Sequence, residues 1–143
     1  MRRLLAALLL PSLAAGALTA CDDAEDAGSA MTVRVLVRDI NIRPEGVECA
    51  GTGPYTHFHN RSPFQVIDPD GRTLAEGALP SGTSVATFKE DLEVTRVPTY
   101  CEFAVPVTVA DRSAYRLVVD GHPPIALTPN DSEGPALVAV VPS

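Results

Sequence analysis

The sequence predicts an all-β fold, a single β-sandwich of seven to eight strands that occupies residues 31–143. Beyond Met31, apolar side chains recur at every second residue, which is the period of a strand with one buried face. Twelve of the thirteen prolines punctuate these segments, and no window beyond the N-terminal leader combines an apolar helical face with capping residues. A segment of about 110 residues is also typical of a small sandwich.

Three clear strands are predicted in the first half of the domain, and a turn joins the second to the third. Val33, Val35 and Val37 fall on one side of a predicted strand over 32–39. Strands over 64–68 and 73–79 flank the string Asp68-Pro69-Asp70-Gly71. This string predicts a hairpin turn, because proline presets φ and glycine accepts the positive φ that closes the turn. Two weaker strand candidates follow at 85–88 and 92–97.

The second half begins with the clearest strand, over 100–109. Cys101, Phe103 and Val105 fall on one face of it, which places Cys101 inside the domain. Three shorter candidates follow, recognised by alternating or continuous β-branched and aliphatic side chains. They lie at 115–119, 125–127 and 137–141.

The leader carries the most specific motif of the chain. Met1-Arg2-Arg3 is followed by an apolar run over 4–18 and by the string Leu18-Thr19-Ala20-Cys21. That string resembles the lipobox of bacterial lipoproteins, which implies cleavage before Cys21 and attachment of a diacylglyceryl group to its thiol. The alternatives are an ordinary signal peptide whose Cys21 joins a disulfide, or an uncleaved membrane anchor. The apolar run is shorter than the roughly 20 residues that a spanning helix requires.

The lipobox resemblance divides the chain into three parts. Residues 1–20 are expected to form a signal-peptide helix, residues 21–30 a lipidated cysteine with an acidic tether, and residues 31–143 the domain. Four acidic side chains and no large apolar one make the tether a solvated linker. The expected location is the cell membrane, lipid-anchored, with the domain on the extracytoplasmic side.

The two remaining cysteines, Cys49 and Cys101, form an even pair in an exported and therefore oxidising compartment. We expect a disulfide between them, which the chain-entropy model credits with about 4 kcal/mol. The alternative is a pair of metal-binding thiols, but neither cysteine has a Cys-x-x-Cys or Cys/His spacing.

Two further resemblances concern the fold. The segment from Asp111 to Tyr115 resembles the Asp…Tyr segment of immunoglobulin-like sandwiches, in which the tyrosine hydroxyl bonds back to the backbone. An immunoglobulin-like or related Greek-key topology is therefore expected, although the chain has no tryptophan for the usual core. The region from Cys49 to Val119 is also similar to an uncharacterised family of short secreted β-sandwich proteins of high-GC bacteria. This second resemblance implies no catalytic residue.

Motifs for catalysis and for nucleic-acid binding are missing from the sequence. It contains no Gly-x-Ser-x-Gly, no His-Glu-x-x-His and no phosphate-binding glycine loop, so we expect no enzymatic activity and no cofactor. Asp68 and Asp70 share letters with a calcium loop, but the later glutamate is not at the required offset. A formal net charge of −7 disfavours nucleic acid as a partner.

One pair of residues suggests a metal site. In an extended segment His57 and His59 would point to the same side, within reach of one cation. A third ligand is needed, and His122 or Glu48 are candidates that the sequence does not place. The alternative is that both histidines face solvent beside an inward Phe58.

These observations predict a lipid-anchored, extracytoplasmic binding or structural module of the bacterial cell envelope. Its contacts are expected to be the membrane, through the lipid on Cys21, and a protein partner that pairs with a sheet edge. The alternative function is that of a metal-binding lipoprotein, which would use His57 and His59.

Overall fold

The computed structural model describes residues 27–87, 93 and 97–142, and these form an all-β structure. Nine strands build one curled, mixed sheet, and the one helical element of these residues is a 3₁₀ turn at Gly53–Tyr55. The expected all-β class is therefore confirmed. The strands are β1 (Ser29–Asp39), β2 (Glu48–Cys49), β3 (Pro63–Ile67), β4 (Thr73–Ala78), β5 (Gly82–Ala86), β6 (Thr99–Val109), β7 (Tyr115–Val119), β8 (Ile125–Asn130) and β9 (Ala136–Val141).

The strand order across the sheet is β2-β5-β6-β1-β9-β8-β7-β3-β4. Every pairing between these strands is antiparallel except that of β1 with β9. Strand β8 serves both halves of the sheet, because its first residues pair with β7 and its last residues, from Thr128, pair with β9. The sheet therefore turns a corner along β8.

The two halves of the curled sheet share one hydrophobic core. On β1 the three valines at alternate positions are fully buried, as the sequence predicted. They belong to the same cluster as the buried side chains of β3 and β7 from the other half of the sheet. The largest fully buried side chains are Phe103, Leu79, Leu117 and Leu137.

The long strand β6 alternates as expected, with Cys101, Phe103 and Val109 buried on one face. It also contains Pro106, which lacks a backbone donor and normally avoids central strands. Pairing of β5 with β6 spans only Thr99–Glu102 on β6, whereas β1 pairs along the whole strand. Pro106 therefore lies where β6 has one paired side.

The predicted hairpin between β3 and β4 is confirmed. The N–H of Gly71 donates to the carbonyl of Asp68 at 3.0 Å, and Gly71 has the positive φ, 82°, that the turn requires. A β-bulge lies between Val66 and Ile67 of β3 and its partners on β4.

The tyrosine corner expected before β7 is also present. The Tyr115 hydroxyl donates to the carbonyl of Ala110 at 3.1 Å and accepts from the N–H of Arg112 at 2.9 Å. These two bonds satisfy backbone groups that the end of β6 leaves unpaired. Tyr115 thus fixes the link from β6 to β7.

The disulfide between Cys49 and Cys101 is confirmed and joins strands that are not neighbours. Strand β5 lies between β2 and β6 in the sheet, and both sulfurs are buried. Gly82 of β5 lies directly beneath the bridge. A Cβ at this position would overlap the Sγ of Cys101 and would meet the ring of Phe103 at 2.9 Å. The bridge thus requires glycine at residue 82.

Other expectations need correction. The described residues form nine strands rather than seven or eight, partly because β2 has two residues and no readable periodicity. The strand predicted over 85–88 begins earlier, at Gly82. In the strand predicted over 92–97, only Glu93 and Val97 are described, and neither lies in a strand. Strand β1 begins at Ser29, inside the expected tether. The signal peptide, Cys21 and the first tether residues lie outside the described residues.

The Gly82→Ala substitution should destabilise the protein by about 1–3 kcal/mol, because the new methyl group overpacks the core beside the disulfide. Thr83→Ala, at the exposed neighbouring residue of β5, is the matched control and should cost much less. Chemical denaturation of both variants measures the difference. Equal stability of the two variants would contradict the tight contact at Gly82.

Candidate functional site

His57 and His59 lie in a turn and not in the extended segment that the sequence suggested. Ser62 holds this turn, because its buried hydroxyl donates to the carbonyl of His57 at 2.6 Å and accepts from the N–H of His59 at 3.2 Å. Phe58 between them is buried, whereas the ring of His59 is exposed, with Nδ1 2.8 Å from the carbonyl of Asn60. The premise of two histidines side by side on a strand is therefore wrong.

His57 instead pairs with His122, from the turn between β7 and β8. The two imidazole rings are stacked, with centroids 3.7 Å apart and planes 11° from parallel. His122 could not be placed from the sequence, because the 64 residues between it and His57 include several strands. The Phe58 ring lies next to His57, with centroids 4.2 Å apart.

Stacked imidazoles do not form a metal site by themselves. Ring nitrogens bind a cation in the ring plane at about 2.0–2.1 Å, so one ion shared by two parallel rings would lie well out of both planes. Among the residues that the structure describes, no group of three His, Cys, Asp or Glu side chains is placed to hold a metal ion. Metal binding through His57 and His59 stays a prediction that this geometry does not favour.

An apolar cleft opens beside the stacked rings, at the end of the sheet where β7, β8 and β9 come together with the 51–62 loop. Its volume is about 210 Å³, and Tyr55, Phe58, Ile125 and Val141 are among its lining residues together with the two histidines. The loop reaches this position through a close approach at Gly51, whose Cβ, if present, would overlap the carbonyl of Tyr55. Gly51 therefore allows the loop to fold over the sheet end.

Burial of the His57 ring lowers the pKa of that imidazole below its ordinary value. The neighbouring His122 and His59 lower the pKa further, and the carboxylate of Asp120 opposes them. The folded state therefore favours the neutral form of His57.

A second candidate surface is the edge of the sheet at β4, which sequence reasoning expected in general but did not locate. Strand β4 pairs with β3 and ends the strand order, so one line of its backbone groups points away from the described sheet. Most of its side chains are exposed, and it has neither Lys nor Pro, residues that often block such edges.

At the opposite end of the strand order, the two-residue strand β2 and the turn before it cover β5. Both backbone groups of Ser84 on β5 are bonded: its carbonyl accepts from the N–H of Gly46, and its N–H donates to the carbonyl of Val47, both at 2.8 Å. The N–H of Ala86 donates to the Glu45 carboxylate at 3.2 Å. With the β2 ladder at Gly82 and Thr83, these bonds engage β5 along its length. The backbone groups of β5 are thus engaged within the domain, whereas the outward groups of β4 are available to another strand.

The register shows which groups of β4 face outward. Immediately after β4, Leu79 directs both backbone groups to the chain that leads into β3: its N–H donates to Ser62, and its carbonyl accepts from Arg61, both at 2.8 Å. Because orientation alternates along an antiparallel ladder, Gly77 points inward in the same way. Glu76 and Ala78 therefore present their N–H and carbonyl groups at the open edge.

The carboxylate of Asp68 closes the β3–β4 turn. Its Oδ1 accepts from the N–H groups of Asp70 and Arg72, both at 2.9 Å, and the Arg112 guanidinium lies 3.6 Å from Oδ2. The pKa of Asp68 is lowered chiefly by the hydrogen bond from the N–H of Arg72. The bond from Asp70 and the charges of Arg72 and Arg112 lower this pKa further, and burial opposes them. These contacts agree with the sequence interpretation of this segment as a turn.

Comparison with known proteins gives no relative from which a function could be carried over: no family model, curated protein or solved structure matches the chain. Within residues 27–87, 93 and 97–142, no helix has the length and hydropathy needed to cross a membrane. Cys21, the predicted lipidation site, lies outside the described residues, and the confirmed disulfide accounts for the other two cysteines.

The Asp68→Asn substitution should change how stability responds to acid. A carboxylate with a lowered pKa stabilises the fold above its unfolded pKa of about 3.9, and this contribution is lost as pH falls through the lower folded value. The wild type should therefore exceed the variant in stability at pH 7, and the gap should narrow between pH 5 and pH 2. Chemical denaturation at each pH measures this difference in stability, and Asp70→Asn is the control. A constant gap would contradict the role of Asp68.

Proposed function

We propose that this protein is a lipid-anchored, extracytoplasmic module that binds an envelope protein by adding a strand of that protein to β4. The observation that carries the proposal is a difference between two strands: described residues cover β5 along its length, whereas no strand of the described residues pairs with the outer side of β4. In strand addition, backbone hydrogen bonds supply affinity and alternating side chains supply specificity. The proposal includes no catalytic step and no nucleic acid.

The topology that we propose for this module is a Greek-key, immunoglobulin-like sandwich. The hydrogen bonds of Tyr115 support it, because a tyrosine at this corner is typical of such sandwiches. The corner along β8 also supports it, since strands that change sheets are common at the corners of packed β-sheets.

Anchoring is supported by the string Leu18-Thr19-Ala20-Cys21 and by the chemistry of the other cysteines. A buried disulfide between Cys49 and Cys101 suits an oxidising compartment outside the cytoplasm. Strand β1 starts at Ser29, so the seven residues 22–28 separate the proposed lipid on Cys21 from the first strand. Such a tether spans at most about 3.3–3.6 Å per residue, which keeps the module near the membrane surface.

The open edge makes few contacts, and this limits the expected affinity. Glu76 and Ala78 offer their backbone groups outward, while the bulge opposite Val66 and Ile67 disturbs the start of β4. Each hydrogen bond is worth about 0.5–1.5 kcal/mol net, so side chains of the partner must add to the interaction. Anchoring both proteins at one membrane compensates by raising their effective concentration.

Strand addition is tested by photocrosslinking in cells that make the full chain. A photoreactive residue at Glu76 should form an adduct with an envelope protein. Ala78→Pro removes one outward N–H without touching the inward bonds of Gly77, so it should abolish the adduct, whereas the control Ala78→Ser should retain it. A probe at Thr83, beside the covered edge, should not form this adduct. An adduct that persists in Ala78→Pro would overturn the proposal.

Anchoring is tested by metabolic labelling with a fatty acid. Cys21→Ala should abolish the label, because the thiol that carries the lipid is gone, and the chain should leave the membrane fraction. Cys49→Ala removes a different cysteine and should keep the label. Label retained in Cys21→Ala would show that residue 21 is not the lipidation site.

A further inference from the structure

The stacked rings of His57 and His122 form a tertiary contact between two separate loops. His57 belongs to the loop that leads from β2 to β3, and His122 belongs to the turn between β7 and β8. The 51–62 loop is fastened at its start by Gly51, whose N–H donates to Phe58 at 2.7 Å, and at its end by Ser62. Between these points, the stack on His122 holds the loop against the β7–β8 turn.

This contact depends on the charge of the two rings. Neutral imidazoles stack favourably in an offset arrangement, whereas two imidazolium rings with centroids 3.7 Å apart repel each other. Histidine changes charge near pH 6.5. Three nearby groups influence the charge of His57: His122 and Asp120 of the β7–β8 turn, and His59 of its own loop. In acid the two histidines add to the repulsion, whereas Asp120 opposes it.

The direction of the pH effect follows from the environment of His57. Burial of the ring, and next the charge of His122, lower the pKa of His57, so the folded protein resists its protonation. The contact is therefore at full strength above about pH 6.5, and its contribution is lost as pH falls below that value.

The stack covers part of the apolar cleft. The His57 ring packs on Phe58 at 4.2 Å, and Phe58 in turn faces Phe103 of the core at 6.4 Å between ring centroids. If His57 leaves His122, it also uncovers Phe58 and widens the 210 Å³ cleft between Tyr55 and Ile125.

We propose that His57 and His122 form an acid-sensitive latch that keeps the apolar cleft narrow at neutral pH and lets it widen in acid. Loss of the stack lets the His57 side chain move away from His122, while the hydrogen bonds of Gly51 and Ser62 hold the backbone of the turn in place. An extracytoplasmic domain meets the pH of its surroundings directly, so such a latch would couple exposure of the cleft to external acidity. The latch does not involve the β4 edge and is independent of the proposed strand addition.

The test is an NMR titration of the full chain from pH 8 to pH 4.5. We expect a nuclear Overhauser effect between the rings of His57 and His122 at pH 8, a titration midpoint of His57 below 6.5, and loss of the ring contact as His57 titrates. Signals of Phe58 should shift in the same step, while those of the Tyr115 corner stay unchanged, which separates opening from acid unfolding.

Three variants make the test specific. His57→Phe and His122→Phe each keep an aromatic ring but remove one of the two charges, so the acid-induced shift of Phe58 should disappear in both. His59→Phe removes the exposed histidine and should leave the transition in place. A ring contact that persists after both histidines titrate, or a Phe58 shift that survives in His57→Phe, would overturn the latch.

Discussion

The disulfide between Cys49 and Cys101 is the constraint on which the other features depend. It passes over Gly82 and fastens β2 to the sheet, although β2 pairs with β5 through two residues only. In fastening β2 it covers the β5 edge, and it also fixes the point from which the 51–62 loop starts toward the cleft. The covered side of β5 and the starting point of the loop that carries His57 thus both depend on this bridge.

Features that depend on neighbouring residues could be predicted from the sequence. The period of two along β1 and β6 follows from side chains that alternate between faces, and the β3–β4 turn follows from the chemistry of Asp68 to Gly71. The tyrosine corner was predictable because its hydrogen bonds reach only three and five residues back from Tyr115. Cys49 and Cys101 were paired correctly because no other partner was available outside the leader.

Features that depend on distant residues could not be predicted. The strand order that leaves β4 at an edge results from pairings far apart in sequence, such as β1 with β9. His57 was expected to pair with His59, two residues away, because an extended backbone was assumed; the hydrogen bonds of Ser62 and the close approach at Gly51 bend that backbone into a turn. Strand β2 was missed because two residues carry no period.

The unequal edges also determine how copies of this domain can assemble. Head-to-tail growth of a continuous sheet needs a strand edge at each end, and the end opposite β4 offers only the two-residue strand β2 after a turn at residues 45–46. Joining two copies through their β4 strands would end the chain at a dimer, with both Glu76 carboxylates on one face of the joined sheet, where they repel. Neither end of the sheet therefore favours continuous growth, because β2 is too short to support a long ladder and pairing through β4 stops at two copies.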